Sequence, residues 1–172
     1  MNEVLVELMR HQTWSTRQLT NSFRALGPYG LEATVPGAYG GLLATLYHAV
    51  QSEGFYCFLL AGGKPGFAWD LSKQPALDEL DRRADDLEAF WRVWLKQPLD
   101  PEKIVARQNP DGTRDEARTS IVLAQVVNHG AAHREQVSAI LTSLGVAPPA
   151  IDAWAYGASE GRVEMSVGSG GG

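Results

Sequence analysis

Cysteine is almost absent: Cys57 is the single one in 172 residues. No intrachain disulfide can form, and no pair of thiolates is on hand to close a structural zinc site. Cys57 sits in the apolar run FYCFLL, where a buried small side chain is the expectation. Positive charge is also short. Fifteen Lys and Arg stand against 20 Asp and Glu, a formal net charge of −5. That balance speaks against a nucleic-acid surface as the main function, while leaving room for a local basic patch. No apolar run approaches the ~20 residues of a membrane span. The opening MNEVLVELMRH is interrupted by Glu3 and Glu7 and has no signal-peptide layout. The expected compartment is a reducing cytoplasm. Strand signals are scarce and no internal repeat is visible. Histidine is limited to four positions.

What is present is an ordinary globular composition, 44% apolar and 20% charged. The length suits a single domain, taken here as residues 1–165, followed by a flexible Gly/Ser tail over 166–172. Four amphipathic helices stand out. The first spans about Asn2 to Leu26, with Leu5, Leu8, Gln12, Ser15, Leu19, Ser22 and Leu26 as its stripe. The second spans about Gly40 to Leu60 and is nearly all apolar, so a central place is expected for it. The third spans about Ala76 to Lys96. Its dry side carries Leu77, Leu80, Ala84, Leu87, Trp91, Trp94 and Leu95; its wet side includes Arg82 and Arg83 among several acids. The fourth spans about Thr119 to Leu144, where Gly145 stops it. Between the third and fourth helices, Asn109-Pro110-Asp111-Gly112 is a turn signature consistent with a small hairpin. The fold class is therefore all-α, a four-helix bundle, with a long connection between helices 2 and 3 that permits a crossover.

The fourth helix carries a feature that a core does not need. Val122, Val126, His129, His133, Gln136 and Ile140 follow one another at helical spacing, which places two imidazoles on the apolar side. Residues four apart differ by about 40° in direction and lie one turn apart, so the two rings can reach one point. Burying two unpartnered rings would cost about 1–3 kcal/mol each. A shared metal ion removes that cost, and a hydrogen bond for each ring does so as well. HxxxH alone is a weak signal, and a metal needs a third ligand. His48 is the best placed, halfway along the apolar second helix. His11 lies at the edge of the first helix's stripe, a flank position that at most lines a pocket with Ser15. Gln125 and Gln136, one turn outside the pair on either side, are candidates to hold the rings. Arg134, rotated about 100° from His133, is expected to brace a neighbouring helix.

The helix with His48, the turn-rich stretch after it and the segment NHGAAHREQVSAILTSLG together resemble the DinB/YfiT-like family of metal-binding four-helix bundles. The resemblance lies in His48 and in His129-xxx-His133-Arg134-x-Gln136. RHQTWSTRQLTNSFRAL, with Trp14 in an aromatic position, is similar to that family's first helix, and LGVAPPAID to its exit from the last. The similarity covers residues 1 to about 155. One departure is Glu135, where the family usually has a small residue; two past His133, it should point away from the site. The resemblance implies up-down-down-up order, a homodimer and a facial three-His site formed by His48, His129 and His133. One divalent transition metal per chain is expected there, zinc or nickel first, iron or manganese otherwise. Trp91, Trp94 and the aromatic run of the second helix also argue for pairing of two chains.

Three imidazoles leave positions open on the metal, which distinguishes a working ion from a structural one. The expected function is a metal-dependent enzyme that activates a thiol or water for a small-molecule substrate, thiol S-transferase-like, with a low-molecular-weight thiol as co-substrate. The alternatives are a metal-dependent hydrolase and a non-catalytic metal-binding bundle. Acidic residues avoid the stripes near the histidines, and Glu53 is read as pointing elsewhere on its helix. That leans against a carboxylate base. The loop from Phe67 to Leu71 is expected to border the pocket mouth with His11 and Ser15. No partner nucleic acid or membrane is expected. Glu-x-x-His pairs and HExxH are absent, and the GASEG match around Ser159 lacks the strand–turn–helix context of a nucleophile elbow.

Overall fold

The computed structural model describes residues 3–63, 76–109 and 111–164. Its elements are α1 (Glu3–Phe23), α2 (Pro28–Glu32), α3 (Leu42–Leu60), α4 (Leu77–Trp94), β1 (Ile104–Gln108), β2 (Arg114–Arg118), α5 (Thr119–Ser143) and α6 (Ala153–Ser159). The four long helices and the hairpin fall where periodicity and turn chemistry put them. Residues 64–75 of the connection between α3 and α4, with the expected rim from Phe67 to Leu71, and the tail expected over 166–172 lie outside the described residues.

Each long helix buries one stripe. In α1 it runs through Leu5, Met9, Gln12, Ser15, Thr16, Leu19 and Phe23. Leu8, assigned to the stripe from sequence, is instead 37% exposed, and Met9 takes the inward place. In α3 the buried set is Leu42, Thr45, Leu46, Ala49, Val50, Glu53, Gly54, Cys57 and Leu60. Leu19, Phe23, Leu42, Leu46, Leu80, Val137, Ile140 and Leu141 are fully buried. Each contributes about 1.5–3 kcal/mol of burial. Cys57 is among the fully buried residues, as a small apolar side chain would be.

The neighbours are α3 with α5, α1 with α4, α1 with α5 and α3 with α4. Side-chain pairs give their senses. Arg17 of α1 meets Asp85 and Glu88, while Arg24 meets Asp78 and Asp81, so α1 and α4 run in opposite directions. Tyr47 lies under the Arg83 guanidinium and Glu53 bonds Trp91, so α3 and α4 run in the same direction. His48 faces His133 and Tyr56 faces His129, so α3 and α5 are opposed. These senses accord with the up-down-down-up order that the resemblance implies.

Arg83 departs from its expected place on the wet face. It is 2% exposed, pairs with Glu79 at 3.0 Å and spreads its guanidinium 4.6 Å from the Tyr47 ring centre. The long stem lets a charged head cross a helix interface that the heptad-like pattern assigns to water. The acids on either side of it meet Arg17 and Arg24 of α1, so this face is bridged by ion pairs.

β1 and β2 pair antiparallel, from Ile104 opposite Arg118 to Gln108 opposite Arg114. Gly112 closes the turn with φ +85°, a left-handed conformation that favours glycine. Val105 plugs the core, and Arg107 lies 5.1 Å from the Phe55 ring centre, covering an aromatic residue of α3. α6 was not anticipated. Asp152 caps it, its side chain accepting from Trp154 N and Ala155 N at 2.8 and 2.9 Å. No helix among the described residues is long and apolar enough to cross a membrane.

Candidate metal centre

The opposed packing of α3 and α5 brings His48 against the His129–His133 pair. Ring centres lie 4.4 Å apart for His129 and His133, 4.8 Å for His48 and His133, and 5.1 Å for His48 and His129. One ring nitrogen from each falls within 4.8 Å of the other two, so the group could hold a metal ion. The Nε2 atoms of His129 and His133 are 3.2 Å apart. Metal–nitrogen bonds of about 2.0–2.1 Å in tetrahedral geometry put ligand nitrogens roughly 3.3 Å apart. The α5 pair already has that spacing, and His48 offers its nitrogen within 4.8 Å of both. A donor set of three imidazoles suits zinc, nickel, iron or copper rather than calcium or magnesium.

All three rings are half-buried. The buried seam of α5 runs through Val122, Leu123, Val126, Gly130, Arg134, Val137, Ile140 and Leu141. His129 and His133 each stand one residue before a seam position, at its margin rather than in it. The sequence stripe was rotated by about one residue because Arg134, read as polar, is 4% exposed. The margin gives the rings access that a core position would deny.

Burial and the neighbouring His133 and His48 pull the pKa of His129 down to about 4. Burial, then the neighbouring His133, lowers that of His48. Both rings are neutral at pH 7 and offer lone pairs without first losing a charge-bearing proton.

Gln136 fixes the third ring. Its Oε1 lies 2.9 Å from His133 Nδ1 and 3.1 Å from the Tyr39 backbone N–H, and its Nε2 donates to Gly37 O at 3.4 Å. Two donors on one side and a carbonyl on the other set the amide's orientation. An amide oxygen only accepts, so His133 carries its hydrogen on Nδ1 and presents a bare Nε2 to the centre. Without an ion, His129 Nε2–H donates to that lone pair.

Gln125 is more remote: its Nε2 donates to the Tyr56 hydroxyl at 3.3 Å, and Tyr56 stands edge-on to His129 at 5.9 Å. His11 and Ser15 turn elsewhere. His11 Nε2 is 2.6 Å from Ile151 O and Ser15 Oγ donates to the same carbonyl, while His11 packs beside Trp14 and Tyr156. They tie the segment before α6 to α1. The pocket expected at His11 and Ser15 is not there: the segment before α6 returns to α1 and takes up both side chains, a long-range contact that no periodicity signals.

Under the histidines lies a polar network with one residue from each long helix. Arg134 donates to Gln12 Oε1, as expected of a brace. Gln12 Nε2 donates to Val126 O at 2.9 Å, and Trp91 Nε1 donates to Glu53 Oε1 at 2.7 Å. Arg134 and Glu53 attract each other. Glu53 turns from the histidines to Trp91, as expected, but it is buried there, 6% exposed, and burial raises its pKa. Sequence reasoning missed it because a buried carboxylate is recognised only by its partner, and Trp91 is 38 residues away in the chain. Tyr39 and Tyr56 were missed as well. The hint for Tyr39 was the Pro36-Gly37 turn signature just before it.

A sequence model of the DinB family matches residues 1–165. The chain belongs to the DinB family. It is also similar to Protein DinB of Bacillus subtilis (strain 168), 23% identical over 163 residues, covering 91% of this chain and 95% of that protein. In this DinB-family chain His48, His129 and His133 lie together.

Proposed function

We propose that the chain is a divalent-metal protein whose ion is held by His48, His129 and His133, and that it works as a metal-dependent enzyme on a small molecule. The observation that carries this reading is the convergence of three imidazoles from α3 and α5, one of them held by Gln136. A divalent ion bound there supplies Lewis acidity that brings the pKa of a coordinated thiol or water toward neutrality.

The chain's own residues do the rest. Imidazole ligands carry no charge, so they do not offset that of the ion. Gln136 holds His133 with Nε2 inward. Tyr39 and Tyr56 set aromatic rings beside the centre, which suits an organic ligand rather than a hydrated inorganic anion. Glu53 is bonded to Trp91 in the core and does not serve as a base at the centre. That favours thiol activation, in which the ion carries most of the chemistry, over hydrolysis that needs a carboxylate base.

The test is to load the protein with cobalt(II) and titrate a small thiol. A sulfur-to-metal charge-transfer band is expected. No spectral change with cobalt bound would exclude the thiol-transfer reading and leave hydrolysis or binding without turnover.

A further inference from the structure

The loop between α2 and α3 is built to present one side chain. Pro36-Gly37 forms a turn in which Ala38 N donates to Val35 O at 3.1 Å, with Gly37 at φ +88°. Leu42 N donates to Ala33 O at 2.8 Å, closing the loop's ends, and Thr34 Oγ1 and Thr45 Oγ1 both donate to Gly40 O. A Cβ at Gly41 would lie 2.9 Å from Glu32 O, so the chain passes there only as glycine. At the crest stands Tyr39, 58% exposed although aromatic. A side chain so exposed on so tightly held a loop has a role outside the core.

Tyr39 reaches both helices of the centre. Its ring stacks on His48 with centres 3.9 Å apart and planes 11° from parallel, and meets His133 edge-on at 5.6 Å. Its backbone N–H donates to the same Gln136 Oε1 that holds His133 Nδ1. The preceding turn supplies Gly37 O to the other end of that amide. One loop thus contacts His48 directly and His133 through Gln136.

We propose that Tyr39 is a positioning residue of the three-His centre. Its ring fixes the plane of His48, and its backbone fixes Gln136 and so the tautomer of His133. This rests on the metal reading above. The ring face and the backbone N–H carry the role, and the phenol hydroxyl does not. An unconstrained imidazole must lose rotational freedom to bind an ion; a stacked one has already lost it.

The experiment measures cobalt(II) affinity of the untagged full chain by competition with a chelator, together with the ligand-field spectrum and the melting temperature of the metal-free protein. Tyr39→Phe should match the wild type within about twofold and keep its spectrum. Tyr39→Ala should weaken binding about 10–100-fold, the range for loss of a group that orients a ligand, and shift the ligand-field bands. Its metal-free melting temperature should stay near that of the wild type, since an exposed ring is lost. Gln136→Leu removes the amide alone and should weaken binding to a similar extent, so the inference stays testable if Tyr39→Ala does not fold. Wild-type affinity and spectrum in Tyr39→Ala or Gln136→Leu would overturn the inference and leave the metal reading standing. Weakening in Tyr39→Phe as large as in Tyr39→Ala would overturn it too, by moving the role to the hydroxyl. A wild-type chain that binds no cobalt would overturn both.

Discussion

Gly130 lies between the two histidines of α5, and replacing it by alanine separates two physical effects of opposite sign. Helix propensity alone favours alanine by about 1 kcal/mol. The packing opposes it. A Cβ at position 130 would lie 2.7 Å from Gln12 Nε2, 2.8 Å from Gln12 Oε1 and 2.9 Å from Arg134 Nη1. These are ends of flexible side chains, but they have nowhere to go: Gln12 is 1% exposed and Arg134 is 4% exposed. Moving Gln12 breaks its bond to Val126 O, a neutral bond of about 1 kcal/mol. It also breaks the Arg134–Gln12 bond, where a charged donor makes about 1.5–3 kcal/mol the fair range. Set against the propensity gain, Gly130→Ala should cost about 1.5–3 kcal/mol. For a domain of this size that is a drop in melting temperature of roughly 3–12 °C. Urea and thermal melts of the metal-free protein measure it. A variant as stable as the wild type, or more so, would refute the reasoning and show that propensity wins because the network yields freely.

Two further outcomes follow from the same geometry. His129, with a folded-state pKa of about 4, and His48 and His11, both lowered chiefly by burial, bind protons more readily unfolded than folded. Between about pH 6.5 and 4 the unfolded chain therefore holds more protons, and stability of the metal-free protein must fall as pH falls through that window; urea melts should show a shallower slope in His129→Ala, and an unchanged slope would contradict the assignment. A homodimer is expected from the family resemblance, although Trp91, at 3% exposure, is covered within its own chain and no longer argues for it; light scattering near the 18.7 kDa of one chain at micromolar concentration would exclude pairing.

The long helices were legible because each spans 18 residues or more, enough turns for a period of 3.6 to declare itself. α2 and α6, of five and seven residues, are too short for any periodic signal. The cluster was legible because two of its histidines are four apart and the third stands alone in an apolar helix. Its surroundings were only partly so. Gln136 could be named because it is one turn from His133, whereas Tyr39 comes from a loop 97 residues away from that glutamine. Arg83, placed on the wet face, and Glu53, left out of the α3 stripe, are buried for one reason. Reading a stripe assigns polar residues to water, and this bundle buries several against one another, each satisfied by a residue distant in sequence.

The central claim is that one ion is held by three particular imidazoles. Elemental analysis of the full chain, purified without a histidine tag, tests it in the wild type and in His48→Ala, His129→Ala and His133→Ala. The account predicts about one divalent transition metal per wild-type chain and almost none in any of the three variants. A metal-free wild type after exposure to zinc, nickel, iron and manganese, or a His48→Ala variant with wild-type metal content, would contradict it.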